Sequence, residues 1–385
     1  MVSSRRTTIN LIVIIVVCLM GRFSPAVELV SLKRKGKARH IEGRILIEAQ
    51  DGGLLMQSPN GRIWTIQPKE IVSRKKNSKP FKPLTKKQLT QQLKDELPGY
   101  RFHTTTHYVI CYNTSPAYAK WCGGLYERLY RGFYRYWKTN GMRLKQPEFP
   151  LVGLVFQDHK SFAGFGKKEL GTDTGTTIGY YNLKTNRVNM YDLTGVEGLN
   201  ANLKGRVRNS VRINQILSQP AAERTVATIV HEATHQLAYN SGLQTRLAGN
   251  PLWVSEGLAV FFETPDLSSG RGWRKIGAVN RFNMFQFRRS LSRRDPGSLA
   301  ELIRADKRFQ NPQTTADAYS EAWALNYFLL RTKKKKYVKY LQQLSKLDPL
   351  QELSAEERLT QFKAIFGEDL ERLDSQFLRY IRRVR

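Results

Sequence analysis

One short segment, His231-Glu232-Ala233-Thr234-His235, constrains the fold of this chain more than any other feature. Residues four apart on a helix lie on one face, so the two imidazoles can point at a common position. The surrounding residues from Thr228 to Ala238 are mostly apolar, which indicates a buried helix. Buried His and Glu side chains need polar partners, and a bound metal ion is such a partner. Pro220 suits the first turn of this helix, and Asn240-Ser241-Gly242 is typical of its end.

A second predicted helix carries two further carboxylates. Pro251 delays its start, and the pattern then predicts a helix from Trp253 to Glu263. Glu256 and Glu263 are seven residues apart, so they lie on one face, two turns apart. Two neutral imidazoles and one carboxylate are a usual protein ligand set for catalytic zinc, and they leave one position for water.

Together these residues resemble the gluzincin zinc metallopeptidases, in which His-Glu-x-x-His is followed by Trp-x-x-Glu-Gly-x-Ala on a second helix. The second pattern is matched here from Trp253 to Ala259. The resemblance implies three zinc ligands, namely His231, His235 and Glu256. It also implies that Glu232 is the general base and that Glu263 orients a ligand from behind. From about residue 102 to residue 330, the chain resembles the uncharacterised, secreted, gluzincin-like domains of bacteria.

The oxyanion of such a reaction needs a hydrogen-bond donor, and Tyr319 is the candidate. It lies on a helix predicted from Ala316 to Leu330, on one face with Trp323 and Tyr327. Some gluzincin aminopeptidases place a tyrosine at a comparable distance after the ligand glutamate. The alternative is a core tyrosine on a packing helix. The Gly-x-Met-Glu-Asn motif of those aminopeptidases is absent, so the resemblance favours a peptide or protein substrate cut by an endopeptidase.

The charge of the chain points to a second class of partner. Its 63 Lys and Arg residues exceed its 32 Asp and Glu residues, which gives a net charge of +31. Such a balance favours anionic surroundings such as a cell-wall or surface polymer, although solvated surface charge is the alternative. No nucleic-acid-binding motif accompanies the charge, so no specific nucleic-acid partner is expected. A secreted scaffold that keeps the zinc site is the rival to an enzyme, but a scaffold needs no general base such as Glu232.

The N-terminus predicts export. Arg5 and Arg6 precede an apolar run from Leu11 to Met20, and Ser24-Pro25-Ala26 supplies small residues for cleavage. These features are typical of a signal peptide over residues 1–26 and of a periplasmic or extracellular protein. An uncleaved signal that anchors the chain to the membrane is the alternative.

Two cysteines, Cys111 and Cys122, follow the predicted signal peptide. An oxidising compartment permits a disulfide between them, and two buried thiols are the alternative. The strand predicted from Tyr108 to Tyr112 and the helix predicted from Tyr118 to Trp137 would make them neighbours through a short connection.

The predicted fold class is α+β, in three parts after the signal peptide. Residues 27–75 resemble a small all-β domain, either an SH3-like barrel or an open meander, with turns at 51–53 and 60–61. Residues 76–99 are predicted to be a basic linker and a short helix capped by Thr85. Residues 100–385 form the gluzincin-like domain, with a mixed sheet, the zinc helix and a helical C-terminal part. A hairpin of strands at 176–181 and 187–191 precedes the zinc helix, where gluzincins pair an edge strand with extended substrate.

Overall fold

Two five-stranded sheets and a largely helical C-terminal part make up the described residues, which are 26–172, 174–175, 177–195, 210–219, 222–264 and 276–385 of a computed structural model. The fold is therefore mixed α+β, as predicted. The predicted signal peptide, apart from Ala26, and Pro220 lie outside the described residues. Within the described ranges, no helix combines the length and apolar character that a bilayer-spanning segment needs.

The N-terminal sheet is an antiparallel meander whose last strand returns to pair with its first. Its strand order is β4-β3-β2-β1-β5, and its strands are β1 (Ala26–Arg34), β2 (Lys37–Glu48), β3 (Leu54–Gln57), β4 (Ile63–Ile66) and β5 (Ile71–Pro80). The register of β2 on β3 shifts between Ile45 and Ile47, and such a bulge bends a strand. Alternating apolar residues form a small separate core that includes Val30, Leu32 and Met56. The all-β prediction is confirmed, and the SH3-like assignment stays a prediction.

The predicted basic linker is partly wrong, because β5 continues to Pro80. Its residues pair with β1 from Leu32 opposite Ile71 to Ala26 opposite Pro80. The basic side chains of this strand are exposed at the sheet edge, where charge discourages pairing with another chain. Only residues 81–85 connect the sheet to helix α1 (Lys86–Glu96). Thr85 caps α1 as predicted, with its side chain accepting from the backbone N–H of Gln88.

The second sheet has the order β6-β7-β8-β10-β9, with β9 at one edge. Its strands are β6 (Arg101–Thr104), β7 (Tyr108–Tyr112), β8 (Leu151–Phe156), β9 (Gly179–Asn182) and β10 (Arg187–Tyr191). β7, β8 and β10 run parallel, whereas β6 and β9 are antiparallel to their neighbours. Every residue of β7 and β8 is buried, because helices cover both faces of this sheet. One face packs on α2 (Pro116–Thr139), and the other packs on α1 and α3 (His159–Leu170).

The positions of Cys111 and Cys122 relative to this sheet decide whether they form a disulfide. Cys111 lies in the core beneath α1 and α3, whereas Cys122 lies on α2 in the main core on the other face of the sheet. Both are buried free thiols, so the disulfide is wrong and the alternative of two buried thiols is confirmed. Burial raises the pKa of the Cys111 thiol to about 12. Both groups therefore stay protonated and unreactive.

The remaining helices surround the candidate site. They are α4 (Ser210–Leu217), α5 (Glu223–Asn240), α6 (Leu252–Phe262), α7 (Arg281–Ser290), α8 (Ser298–Arg304), α9 (Lys307–Gln310), α10 (Thr315–Thr332), α11 (Lys334–Leu344), α12 (Ala355–Phe366) and α13 (Leu370–Arg383). Helix α6 packs between α5 and α10. Gly257 makes this close approach feasible, because a Cβ there would lie 2.6 Å from the carbonyl oxygen of Ala322 on α10. The absence of a side chain at Gly257 therefore lets α6 pack closely on α10, and this packing positions the neighbouring Glu256.

Candidate metal centre

Helices α5 and α6 bring three potential ligand atoms together. The Nε2 atoms of His231 and His235 lie 3.1 Å apart, and those atoms lie 3.1 and 3.5 Å from the Glu256 carboxylate oxygens. A tetrahedral ion with bonds of about 2.0–2.2 Å separates its ligand atoms by about 3.3–3.6 Å. The two 3.1 Å distances are slightly shorter than this range and the 3.5 Å distance lies within it, so the three atoms are close to that geometry. Among the described residues, these three side chains are the group that could hold a metal ion. The three predicted ligands therefore converge, and zinc as the ion stays a prediction.

A second carboxylate, that of Glu263, bonds the ring nitrogen of His231 that is not a candidate metal ligand. His231 Nδ1 lies 2.8 Å from Glu263 Oε2, so its proton can sit on Nδ1 and leave Nε2 free to coordinate. The other Glu263 oxygen accepts from Asn280 Nδ2 at 3.1 Å. Glu263 therefore lies where the resemblance predicted it. Asn280, which the sequence analysis missed, holds it in place.

The electrostatics of this cluster favour a positive charge at its centre. Burial opposes ionisation of Glu256, but the neighbouring imidazoles of His235 and His231 hold the pKa of its carboxyl well below the usual range. Burial also acts to lower the pKa of His231, yet hydrogen bonds to Glu256 and Glu263 raise it well above the usual value. Two carboxylates thus stabilise a cation at the point where the imidazole nitrogens meet.

Glu232 lies beside the cluster and is not part of the ligand set. Its Oε2 accepts the backbone N–H of Tyr181 at 2.7 Å, so edge strand β9 fixes its orientation. Burial raises the pKa of Glu232, and so does the nearby Glu256, while the two histidines lower it. The Tyr181 ring stacks on Tyr239 of α5, with centroids 5.8 Å apart. Tyr181 was missed as a functional residue, although the predicted hairpin that carries it is confirmed.

Tyr319 lies at the cleft, because the first turn of α10 reaches the metal centre. Its ring centroid is 6.5 Å from that of His231. Burial and the nearby Glu256 carboxylate raise the pKa of Tyr319. The ring packs edge-on against Phe309 at 5.4 Å, whereas the fully buried Trp323 packs against Tyr327. Tyr319 is therefore part of the cleft wall as well as of the packing on α10.

A cleft of about 680 Å³ opens over these groups. His231, Glu232, Glu263 and Tyr319 line one part of it. The remaining walls come from the first turns of α5 and α7 and from residues just before and within the start of α10. A cleft of this size accommodates several residues of an extended ligand.

Comparison with known proteins covers the same part of the chain. Residues 225–351 match the model of a family described as a protein of unknown function (DUF1570). That stretch is less than half of the chain, and it contains α6, α10 and all but the first residues of α5. Every residue assigned to the candidate site from sequence, from His231 to Tyr319, lies within it. No curated protein matches the chain.

Proposed function

We propose that this protein is an exported, zinc-dependent peptidase of the gluzincin type that cuts internal peptide bonds. The observation that carries the proposal is the convergence of His231, His235 and Glu256 next to an open cleft, which His231 and the neighbouring Glu232 line. The donor set of two imidazoles and one carboxylate is that of catalytic zinc sites. Export is proposed from the signal-peptide pattern of residues 1–26.

Each residue of the site has a task in this reaction. His231, His235 and Glu256 would hold the zinc, and Glu263 would fix the imidazole of His231. Zinc held there polarises the scissile carbonyl and lowers the pKa of its water toward ~7. Glu232 takes the proton from the attacking water and delivers it to the leaving amine. The Tyr181 N–H holds the Glu232 carboxylate in one orientation, and burial makes that carboxylate a stronger base.

Tyr319 is proposed as the donor that meets the developing negative charge. Its ring lies 6.5 Å from that of His231, and both side chains line the cleft. Phe309 fixes the ring, so the hydroxyl is already in position before the charge develops. The outer edge of β9 is proposed to pair with the extended substrate next to Glu232.

Binding of an anionic surface polymer is a second candidate function. The observation that favours it is the row of exposed basic side chains Lys75, Lys76 and Lys79 on edge strand β5. With a net charge of +31, such a strand would attract a cell-wall or surface polyanion. This function is compatible with the peptidase and would place it near its substrate.

The peptidase proposal is tested by incubating the purified, zinc-loaded protein with a library of quenched fluorescent peptides. We expect cleavage that a chelator abolishes, that added zinc restores and that Glu232→Gln eliminates. Glu301→Gln is the matched control, because Glu301 is exposed on α8 and does not line the cleft. A zinc-loaded wild type that cuts no peptide would contradict the proposal and favour the scaffold.

A further inference from the structure

The first turn of α7 forms a polar wall of the cleft that the proposed reaction does not use. Residues 280–283 all line the cleft. Asn280 bonds Glu263, and Glu263 bonds His231, so this turn lies two hydrogen bonds from a candidate metal ligand. A ligand group held by this turn therefore lies close to the bond that is cut.

The N-terminus of α7 has free donors. Asn280 caps the helix, because its Oδ1 accepts from Asn283 N at 3.0 Å and its carbonyl accepts from Met284 N at 2.8 Å. The backbone N–H groups of Arg281 and Phe282 have no hydrogen-bond partner in the described parts of the chain. Such groups at a helix N-terminus carry partial positive charge and bind anions.

Asn283 is an independent sign of a ligand at this turn. Its residue is only 6% exposed, yet it lines the cleft. Its side-chain amide has no hydrogen-bond partner among the residues that the structure describes, while its backbone N–H is already capped. An amide that lines the cleft without a protein partner is available to bond a polar ligand group there.

The charges around the turn select the sign of that ligand. Arg281 and Arg224 are exposed at the cleft and form no ion pair within the described ranges. The guanidinium of Arg224 lies 4.3 Å from the centroid of the Phe282 ring, which holds it at the rim. Three carboxylates line the same cleft: Glu263 already uses both of its oxygens, Glu232 accepts from the Tyr181 N–H, and Glu223 lies at the rim. The free donors and the two arginines together favour an anion.

We propose that the first turn of α7 is a carboxylate subsite that selects peptides by an acidic group close to the scissile bond. The carboxylate accepts from the N–H groups of Arg281 and Phe282 and from the amide of Asn283, and Arg281 supplies a charge-assisted contact. The C-terminal carboxylate of a peptide and the side chain of Asp or Glu share this chemistry. This inference rests on the proposed peptidase function and adds the class of substrate to it.

The test measures binding and cleavage separately. The probes are N-acetylated hexapeptides of Ala and Leu that carry one carboxylate, either at the C-terminus or as Glu at successive positions. Each probe has a neutral counterpart in which a C-terminal amide or a Gln replaces the carboxylate. Calorimetry gives the affinity for the zinc-loaded Glu232→Gln protein, and zinc-loaded protein with Glu232 intact gives the cleavage rate. The subsite variants are Asn283→Leu and the exposed Arg281→Gln, and the control is Arg289→Gln, on α7 but outside the cleft.

We expect the carboxylate to improve binding about 10- to 100-fold, as for hydrogen bonds to a charged group. Both subsite variants should lose this preference and the control should keep it. A preference confined to free C-terminal acids identifies the terminal carboxylate as the source, and one confined to Glu identifies the side chain. If peptides are cut without any carboxylate preference, the subsite is wrong and the peptidase stands. If the preference is present in binding but no peptide is cut, the subsite stands and the peptidase fails. If both are absent, both proposals are overturned.

Discussion

Two clusters of buried charge lie on opposite sides of helix α10, and they are neutralised differently. On one side, Glu321 bonds Arg294 and Arg308, each at 2.8 Å, and Arg294 also bonds Asp374 at 2.6 Å. On the other side, next to Tyr319, lie Glu232 and the two carboxylates of the candidate metal centre. Among the described residues, no lysine or arginine lies within salt-bridge distance of any of those three carboxylates.

The difference separates a cluster that contains its own cations from one that does not. The Glu321 cluster contains its own cations, so it is complete without a ligand. The candidate metal centre offers only two imidazoles against three largely buried carboxylates, so a bound cation is what would balance it. Mutation of Glu321 should therefore lower the stability of the protein and leave its metal content unchanged. Mutation of a ligand residue, or chelation, should instead remove metal from the candidate metal centre.

Loss of the proposed general base, Glu232, should have the largest effect on activity. Glu232→Gln removes the proton acceptor but keeps the oxygen that accepts the Tyr181 N–H. We expect peptide cleavage to fall about 10²–10⁴-fold, because general-base catalysis contributes that much. Metal content, measured by mass spectrometry, should be unchanged because Glu232 is not a ligand. Retained activity would remove Glu232 from the reaction.

The largest loss of stability should come from the other cluster. Glu321→Gln leaves Arg294 and Arg308 without their shared buried carboxylate, so the free energy of unfolding should fall by about 3–5 kcal/mol. Urea denaturation measures this change. The control is Glu301→Gln, at an exposed side chain of α8, where we expect a loss of about 0–1 kcal/mol. If Glu321→Gln instead lowers metal content at unchanged stability, the division between the two clusters is wrong.

Tyr319→Phe tests the tyrosine that lines the cleft beside the candidate metal centre. The change deletes the hydroxyl and keeps the ring against Phe309. An oxyanion donor acts only as charge develops, so kcat should fall about 10²–10³-fold with little change in KM. Tyr327→Phe is the control on the same helix. An unchanged kcat in Tyr319→Phe would leave Tyr319 with a packing role alone.

The smallest of these effects should come from the orienting carboxylate. Glu263→Gln weakens the hold on His231 Nδ1 without removing a ligand. Zinc affinity should fall about 10–100-fold, as for other residues that support a ligand histidine. Competition with a fluorescent chelator measures the affinity. An affinity equal to that of the unmodified protein would show that the Asn280–Glu263–His231 chain does not support the metal.

The sequence predicted those features that are encoded locally. The resemblance of two helix motifs implied the ligand set. Thr85 marks the start of one helix through its capping side chain, and Gly242 marks the end of another through its left-handed backbone conformation. Asn280 and Tyr181 were missed because tertiary packing brings them to residues 17 and 51 positions away. No local pattern encodes such contacts.

Two further errors have a common physical cause. The basic run at β5 was interpreted as a linker, although charge is equally suited to an exposed sheet edge. The two cysteines were considered as a pair because they alone follow the predicted signal peptide and a short connection joins the strand and the helix that carry them. Side chains alternate along a strand, and Cys111 has the opposite parity to Tyr108, Ile110 and Tyr112, which face α2. Both features depend on which face of a sheet is covered, and composition alone does not give this.

Metal analysis of the purified protein tests the central claim most directly. Zinc measured by mass spectrometry should be close to one ion per chain in the unmodified protein, and His235→Ala should lose most of it. Glu321→Gln should keep it, because its cluster is already neutral. A protein that binds no metal ion at micromolar zinc, or a His235→Ala variant that keeps a full complement, would contradict the account.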